Sequence, residues 1–234
     1  MTMTATQLPL RLSPHEILKL DNFYFSQGEL SHALNKFCTT EGVDFIYLWG
    51  AEATGKSHLL MACTEQLQQA GHQVIYLSLA ELMLTAEPEV LASIEQVDYL
   101  CFDDIDAIAG FAEWEEALFH CFNRLRSGQG KLLVAANDSP ANVTFSLADL
   151  RSRMATALIY QLSLLTDEAK QQALQLQAHS RGLILPDEVA LYLLRHHGRD
   201  MKTLITVLQQ LDRASLAAKR RLTIPFVSQT LANG

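Results

Sequence analysis

Residues 44–71, DFIYLWGAEATGKSHLLMACTEQLQQAG, constrain the fold more than any other part of this chain. Phe45–Trp49 is a short continuous apolar run, as in a strand buried on both faces. The turn GAEATGKS (50–57) follows at once. A helix then starts near Lys56, with Leu59, Leu60, Cys63 and Leu67 on one face and Gly71 at its end. The turn matches G-x-x-x-x-G-K-[ST] in the strand-to-helix setting that the pattern requires. Backbone N–H groups of such a turn converge on an anion, and the helix dipole favours negative charge there. Gly50, Ala51, Ala53, Thr54, Gly55, Lys56, Ser57 and His58 are therefore the expected nucleotide-binding segment. Lys56 is expected to reach the β- and γ-phosphates, and Ser57 to bind Mg²⁺.

The alternation repeats along the chain. QVIYLSL (73–79), VDYLCF (97–102), KLLVAAN (131–137) and ALIYQL (157–162) read as further strands. Helices are expected between them, at 88–96, at 113–126 (Trp114, Ala117, Leu118, Cys121, Phe122 and Leu125 inward) and at 147–154. An earlier helix carries Leu30, Ala33, Leu34, Phe37 and Cys38. Strands alternating with helices imply a five-stranded parallel sheet covered on both faces. After Leu165 only helical signals remain. Thr166 caps one helix, Pro186 starts another, Asp200 caps a third, and Thr223 and Pro225 open a fourth. The third would turn Met201, Leu204, Ile205, Leu208 and Leu211 inward. The expected organisation is an extended tail (1–14), an α/β nucleotide-binding domain (15–165) and a small all-helical lid domain (166–234).

VDYLCFDD is an apolar strand ending in two carboxylates. Opposite a phosphate loop, one of them, Asp103, is expected to hold Mg²⁺, and Asp104 to orient or deprotonate a water. A solvated acidic turn is the plainer reading of the same residues. Asn137 ends LLVAAN on the side where open α/β sheets bind ligands, so its amide is a further candidate; it also fits an ordinary turn.

Charge narrows the partners. Residues 1–165 hold 9 Lys and Arg against 20 Asp and Glu, a net of −11, while 166–234 hold 9 against 6, a net of +3. An acidic body argues against direct DNA binding. Four cysteines, none in a C-x-x-C pair, are expected to be buried thiols. No apolar run is long enough to span a membrane and no basic-then-apolar leader opens the chain, so a cytoplasmic protein is expected.

GAEATGKS, VDYLCFDD, LLVAAN and LRSR (150–153), followed by a helical lid, resemble the AAA+ ATPases in the same order. Within them the chain is most similar to the family of the bacterial replication initiator DnaA, and above all to its short regulatory homologues; LQQLDRAS and RLTIPFV (208–215 and 221–227) carry that likeness. The resemblance implies adenine near Phe23 and Tyr24, an arginine finger at Arg153 working in a partner's site, and a lid cation at Lys202, where initiators have arginine. It implies ADP or ATP as resident nucleotide, with weak or no turnover of its own. Initiators carry a DNA-binding helix-turn-helix domain that has no counterpart here, so DNA contact only through a clamp is expected, and with it association with the nucleoid.

QLPLRL (7–12) resembles the hexapeptide by which replication proteins bind the β sliding clamp. Gln7 would supply directional hydrogen bonds, and Leu8, Leu10 and Leu12 would fill an apolar groove. Taken alone, alternating leucines are more often an edge strand of the chain's own sheet. Two functional classes follow. One is a clamp-recruited negative regulator of replication initiation that stimulates hydrolysis of DnaA-bound ATP, with a homo-oligomer as a further option. The other is an ATPase motor of the clamp-loader or helicase-loader kind.

Overall fold

The computed structural model describes residues 18–232 apart from 27, 40, 41, 95 and 199. The tail with Gln7, Leu8, Leu10 and Leu12 lies outside the described residues. Five parallel strands form one sheet: β1 (Phe45–Trp49), β2 (Val74–Ser78), β3 (Tyr99–Asp103), β4 (Lys131–Ala136) and β5 (Leu158–Gln161), in the order β2-β3-β4-β1-β5. Side chains alternate between two cores as the pleat requires. Phe45, Tyr47, Leu100, Phe102, Leu132 and Val134 enter one core, while Ile46, Leu48, Tyr99, Cys101, Leu133 and Ala135 enter the other.

The helices α1 (Gly28–Phe37) and α2 (Lys56–Gln69) cover the second face. The first face is covered by α3 (Leu79–Leu82), α4 (Ala112–Ser127) and α5 (Ala148–Met154). Burial of each large apolar side chain here is worth about 1.5–3 kcal/mol. All four cysteines are buried, and none is joined in a disulfide among the described residues.

Two expectations change. The segment 88–96 is not an α-helix: a 3₁₀ turn spans Pro88–Ser93, and the helical turn is α3, capped by the Ser78 hydroxyl, which accepts from the Glu81 N–H at 3.4 Å. Pro88 and the β-branched Val90 and Ile94 favour a short tight turn there. The strand at 157–162 is not covered on both faces either. Among the described residues β5 pairs only with β1 and leaves Leu158 and Ile159 exposed at the sheet edge.

The lid comprises α6 (Asp167–Ser180), α7 (Asp187–His196), α8 (Met201–Ala218) and α9 (Ile224–Ala232) around their own core. Thr166 and Asp200 act as N-caps through their side chains, at 3.2 and 2.8 Å. Pro186 stands at the N-cap of α7 rather than inside it. Leu204, Leu208 and Leu211 are buried, but Met201 and Ile205 are only half-buried, on the flank of the apolar stripe. Among the described residues no helix is long and apolar enough to cross a membrane.

Candidate functional site

The carboxyl ends of β1, β3, β4 and β5 open on one edge of the sheet, where parallel α/β sheets bind ligands. The loop between β1 and α2 lies across that edge. Two glycines are dictated by close approach. A Cβ on Gly50 would run into the Leu162 carbonyl oxygen. Gly55 has φ +96°, and a Cβ there would sit 2.6 Å from the Phe23 ring. Ala53 holds a left-handed φ of 63° between them, a conformation that costs a non-glycine residue about 1–2 kcal/mol. The loop therefore keeps its shape against local preference.

Lys56 is almost wholly buried. Its ammonium donates to the Gly50 and Ala51 carbonyls at 2.6 and 3.0 Å and to Asn137 Oδ1 at 3.2 Å. Burial pulls its pKa below the usual lysine range, against the charges of Asp103, Asp106, Asp104 and Glu52. Among the described residues no carboxylate lies within ion-pair distance of it. The ammonium is thus a positive charge with polar but uncharged partners, suited to an arriving anion.

Asp103 ends β3 and is buried. It accepts from the Tyr76 hydroxyl at 3.0 Å, from the Asp104 N–H at 3.0 Å and from the Ser57 hydroxyl. Burial raises its pKa; the Ser57 hydrogen bond opposes the rise and the Asp104 charge adds to it. Ser57 and Asp103, expected together, do meet. Asp104 departs from expectation. Its backbone is left-handed, φ 53°, and its carboxylate accepts from the Ser78 hydroxyl at 2.9 Å, on the β2 side. The acid facing Asn137 is Asp106, whose Oδ2 accepts from Asn137 Nδ2 at 2.9 Å. Its other oxygen is buried without a partner among the described residues. DDID contained the signal, but spacing alone does not say which acid turns toward the lysine.

Phe23, Tyr24, Phe25, Thr54, Tyr160 and Leu162 line a cavity beside the loop. The rings of Phe25 and His58 flank Phe23 at 4.8 and 5.3 Å. A seam missed by the sequence reading ties this wall to the lid. Gln177 on α6 donates to the Asn22 carbonyl at 2.8 Å, and Arg181 donates to Gln177 Oε1 at 2.7 Å. His58 Nε2 lies 3.4 Å from the Lys19 carbonyl, and its pKa is lowered by burial and by the nearby Arg181 charge. Lys202 is exposed in the first turn of α8, and no hydrogen bond or ion pair joins it to the loop among the described residues. Among the described residues, Arg181 is a lid cation whose field reaches the loop helix at His58.

Arg153 stands in the last turn of α5 and is exposed, as is Arg151. Among the described residues no carboxylate pairs with either arginine. Arg151 lines a shallow groove with Pro140, Ala148 and Ile159, whereas Arg153 does not.

The residues fit a phosphate ligand with Mg²⁺. The loop is shaped by two glycines, its lysine has no acidic partner, and a hydroxyl and a carboxylate meet beside it. Among the described residues no group of three or more His, Cys, Asp or Glu could hold a metal alone.

Residues 26–161 match the family of the bacterial DnaA ATPase domain, and residues 167–231 match the lid domain of Hda. The chain belongs to the bacterial DnaA ATPase family, as an Hda-like AAA+ homologue. Solved structures agree on the fold. Domain III of the Thermotoga maritima replication initiation protein DnaA superposes with a TM-score of 0.73 at 19% identity, covering 96% of this chain and 98% of that one. AMPPCP-bound DnaA from Aquifex aeolicus gives 0.70 at 22% identity, over 88% of this chain and 67% of that one. The Thermotoga maritima RuvB branch migration motor gives 0.62 at 21% identity, over 88% and 67%. This DnaA-family member therefore has AAA+ architecture, with the parallel sheet followed by a helical lid.

Proposed function

We propose that this protein is a nucleotide-bound regulator that docks on the β sliding clamp through Gln7, Leu8, Leu10 and Leu12 and inserts Arg153 into the nucleotide site of DnaA. ATP bound to DnaA is then hydrolysed and re-initiation is suppressed. The observation that carries the reading is the exposed Arg153 at the end of α5, without an ion-pair partner among the described residues, in a DnaA-family chain. An unpaired guanidinium keeps its donors for charge that develops on a transferring phosphoryl group, an effect worth about a thousandfold or more in rate.

Within the chain itself, Lys56 and the loop amides would hold the phosphates of ADP or ATP, and Ser57 with Asp103 would hold Mg²⁺. A nucleotide bound there supplies negative charge and bulk that link loop, cavity wall and lid. Phe23 and Tyr24 would flank the base, and Gln177 and Arg181 tie that wall to α6. The hydrogen bond from Ser78 holds Asp104 to the β2 side, which supports weak turnover by the chain alone. The motor reading draws on the complete set of Lys56, Ser57 and Asp103. Localisation to the cytoplasm and, through the clamp, to the nucleoid follows from the proposed partners.

The test is stimulation of DnaA-bound ATP hydrolysis by wild type and by Arg153→Ala, with DNA-loaded clamp present. The substitution should abolish stimulation while clamp binding persists. Undiminished stimulation would remove the finger assignment.

A further inference from the structure

Glu115, in the first turn of α4, is a wholly buried carboxylate that the nucleotide site does not use. Among the described residues no cation pairs with it. It is instead satisfied by three backbone N–H groups, one at the entry to its own helix and two from a distant segment. Oε1 accepts from Gly110 at 2.7 Å and from Ser146 at 3.0 Å; Oε2 accepts from Leu147 at 2.6 Å. Charge-assisted bonds to backbone amides are among the stronger hydrogen bonds, and in a dry interior losing one exposes the full cost of the stranded donor.

Both segments matter. Gly110 lies just past the 3₁₀ turn Ile105–Ile108, which follows Asp103 and Asp104 and contains Asp106. Leu147 is the N-cap residue of α5, and its side chain provides no cap. α5 has only 7 residues, too few to be stable alone, so what holds its ends decides where it points. Glu115 instead fixes the chain just ahead of the helix, by accepting from the Ser146 and Leu147 N–H groups. Arg153 lies six residues further on, about 9 Å along the axis at 1.5 Å per residue. A tilt of roughly ten degrees at the start of α5 would shift its end by about 1.5 Å, and misplacement of that order can cost about a hundredfold in rate.

We propose that Glu115 is a positioning residue for Arg153. Its carboxylate locks the start of α5 to the turn behind the chain's own acidic cluster, so that the helix offered to the partner and the edge of the resident nucleotide site move as one body. This rests on the reading of Arg153 as a finger. The need is for a carboxylate. A glutamine has one acceptor oxygen and would point an NH₂ group at an N–H donor.

The experiment compares wild type, Glu115→Gln, Glu115→Asp and Arg153→Ala as full chains, with DNA-loaded clamp and ATP-bound DnaA. It measures the maximal rate of DnaA-bound ATP hydrolysis at saturating protein, the affinity of each chain for ADP, and hydrogen exchange at residues 108–112 and 146–154. Glu115→Gln should lower the maximal rate at least about tenfold while ADP affinity stays within about threefold. The amides of Gly110, Ser146 and Leu147 should exchange faster, with those of β1 and β4 unchanged. Glu115→Asp keeps the charge but is one methylene short; it should lose rate to a lesser extent and carries the test if Glu115→Gln does not fold. A full maximal rate in the glutamine or aspartate variant, beside an inactive Arg153→Ala, overturns the positioning role. Unchanged exchange at the three amides overturns it as well. Full stimulation by Arg153→Ala overturns instead the finger reading on which the role depends.

Discussion

Changing Gly55 to Ala probes the loop at the point where shape and ligand meet. The native φ of +96° lies outside what alanine adopts freely, which costs about 1–2 kcal/mol. The new methyl would also stand 2.6 and 3.1 Å from Phe23 Cε2 and Cζ. That ring is held between Phe25 and His58, so displacing it adds an overpacking cost of about 1–3 kcal/mol. Together these amount to about 2–5 kcal/mol, a large share of a typical domain's stability. Urea denaturation without nucleotide reads the total. Phe23→Ala separates the parts: in that background only the backbone contribution of about 1–2 kcal/mol should survive, because the clash is gone. Affinity for ADP should fall in both loop variants, since Phe23 lines the cavity next to the loop. A Gly55→Ala cost below about 0.5 kcal/mol would refute the account of the loop, as would an equal cost in the Phe23→Ala background.

Other consequences can be checked alongside. Lys56→Ala should abolish ADP binding yet leave stability without ligand within about 1 kcal/mol, because the cost of burying the ammonium offsets its hydrogen bonds; retained binding would detach the loop from phosphate. Burial lowers the His58 pKa, so between its folded value and about 6.5 the unfolded chain takes up the proton more readily and stability falls as pH drops through that window. His58→Gln should flatten this part of the pH profile of Tm, and an unchanged slope would count against it. Changing Gln7 and Leu8 to Ala should eliminate clamp binding with ADP affinity unaltered; persistent clamp binding would return QLPLRL to the edge-strand reading.

The strands and the loop were legible in the sequence because both rest on local signals. Phe45–Trp49, Tyr99–Asp103 and Lys131–Ala136 read as strands through continuous apolar runs, and GAEATGKS imposes its turn through glycines at the two ends. What escaped depends on contacts between distant segments. ALIYQL has the composition of a buried strand, yet its place at the sheet edge is a property of strand order. DDID announces acids, but which carboxylate turns toward Asn137 is decided by Ser78, which holds Asp104 aside. Arg181 gave no signal either; the fold of α6 onto residues 20–22 places its charge near His58. Glu115 gave no signal at all, since an acid in the first turn of a helix is ordinary. Only the tertiary structure brings Ser146 and Leu147 to it, beside the local Gly110.

The most direct test of the central claim is the rate of hydrolysis of ATP already bound to DnaA, with this protein at low levels and DNA-loaded clamp present or absent. The protein's own turnover is measured in parallel without DnaA. The account predicts that hydrolysis rises only when the clamp is present and that the protein alone is nearly inert. Hydrolysis by the protein alone, indifferent to the clamp, would contradict it and make the chain a motor.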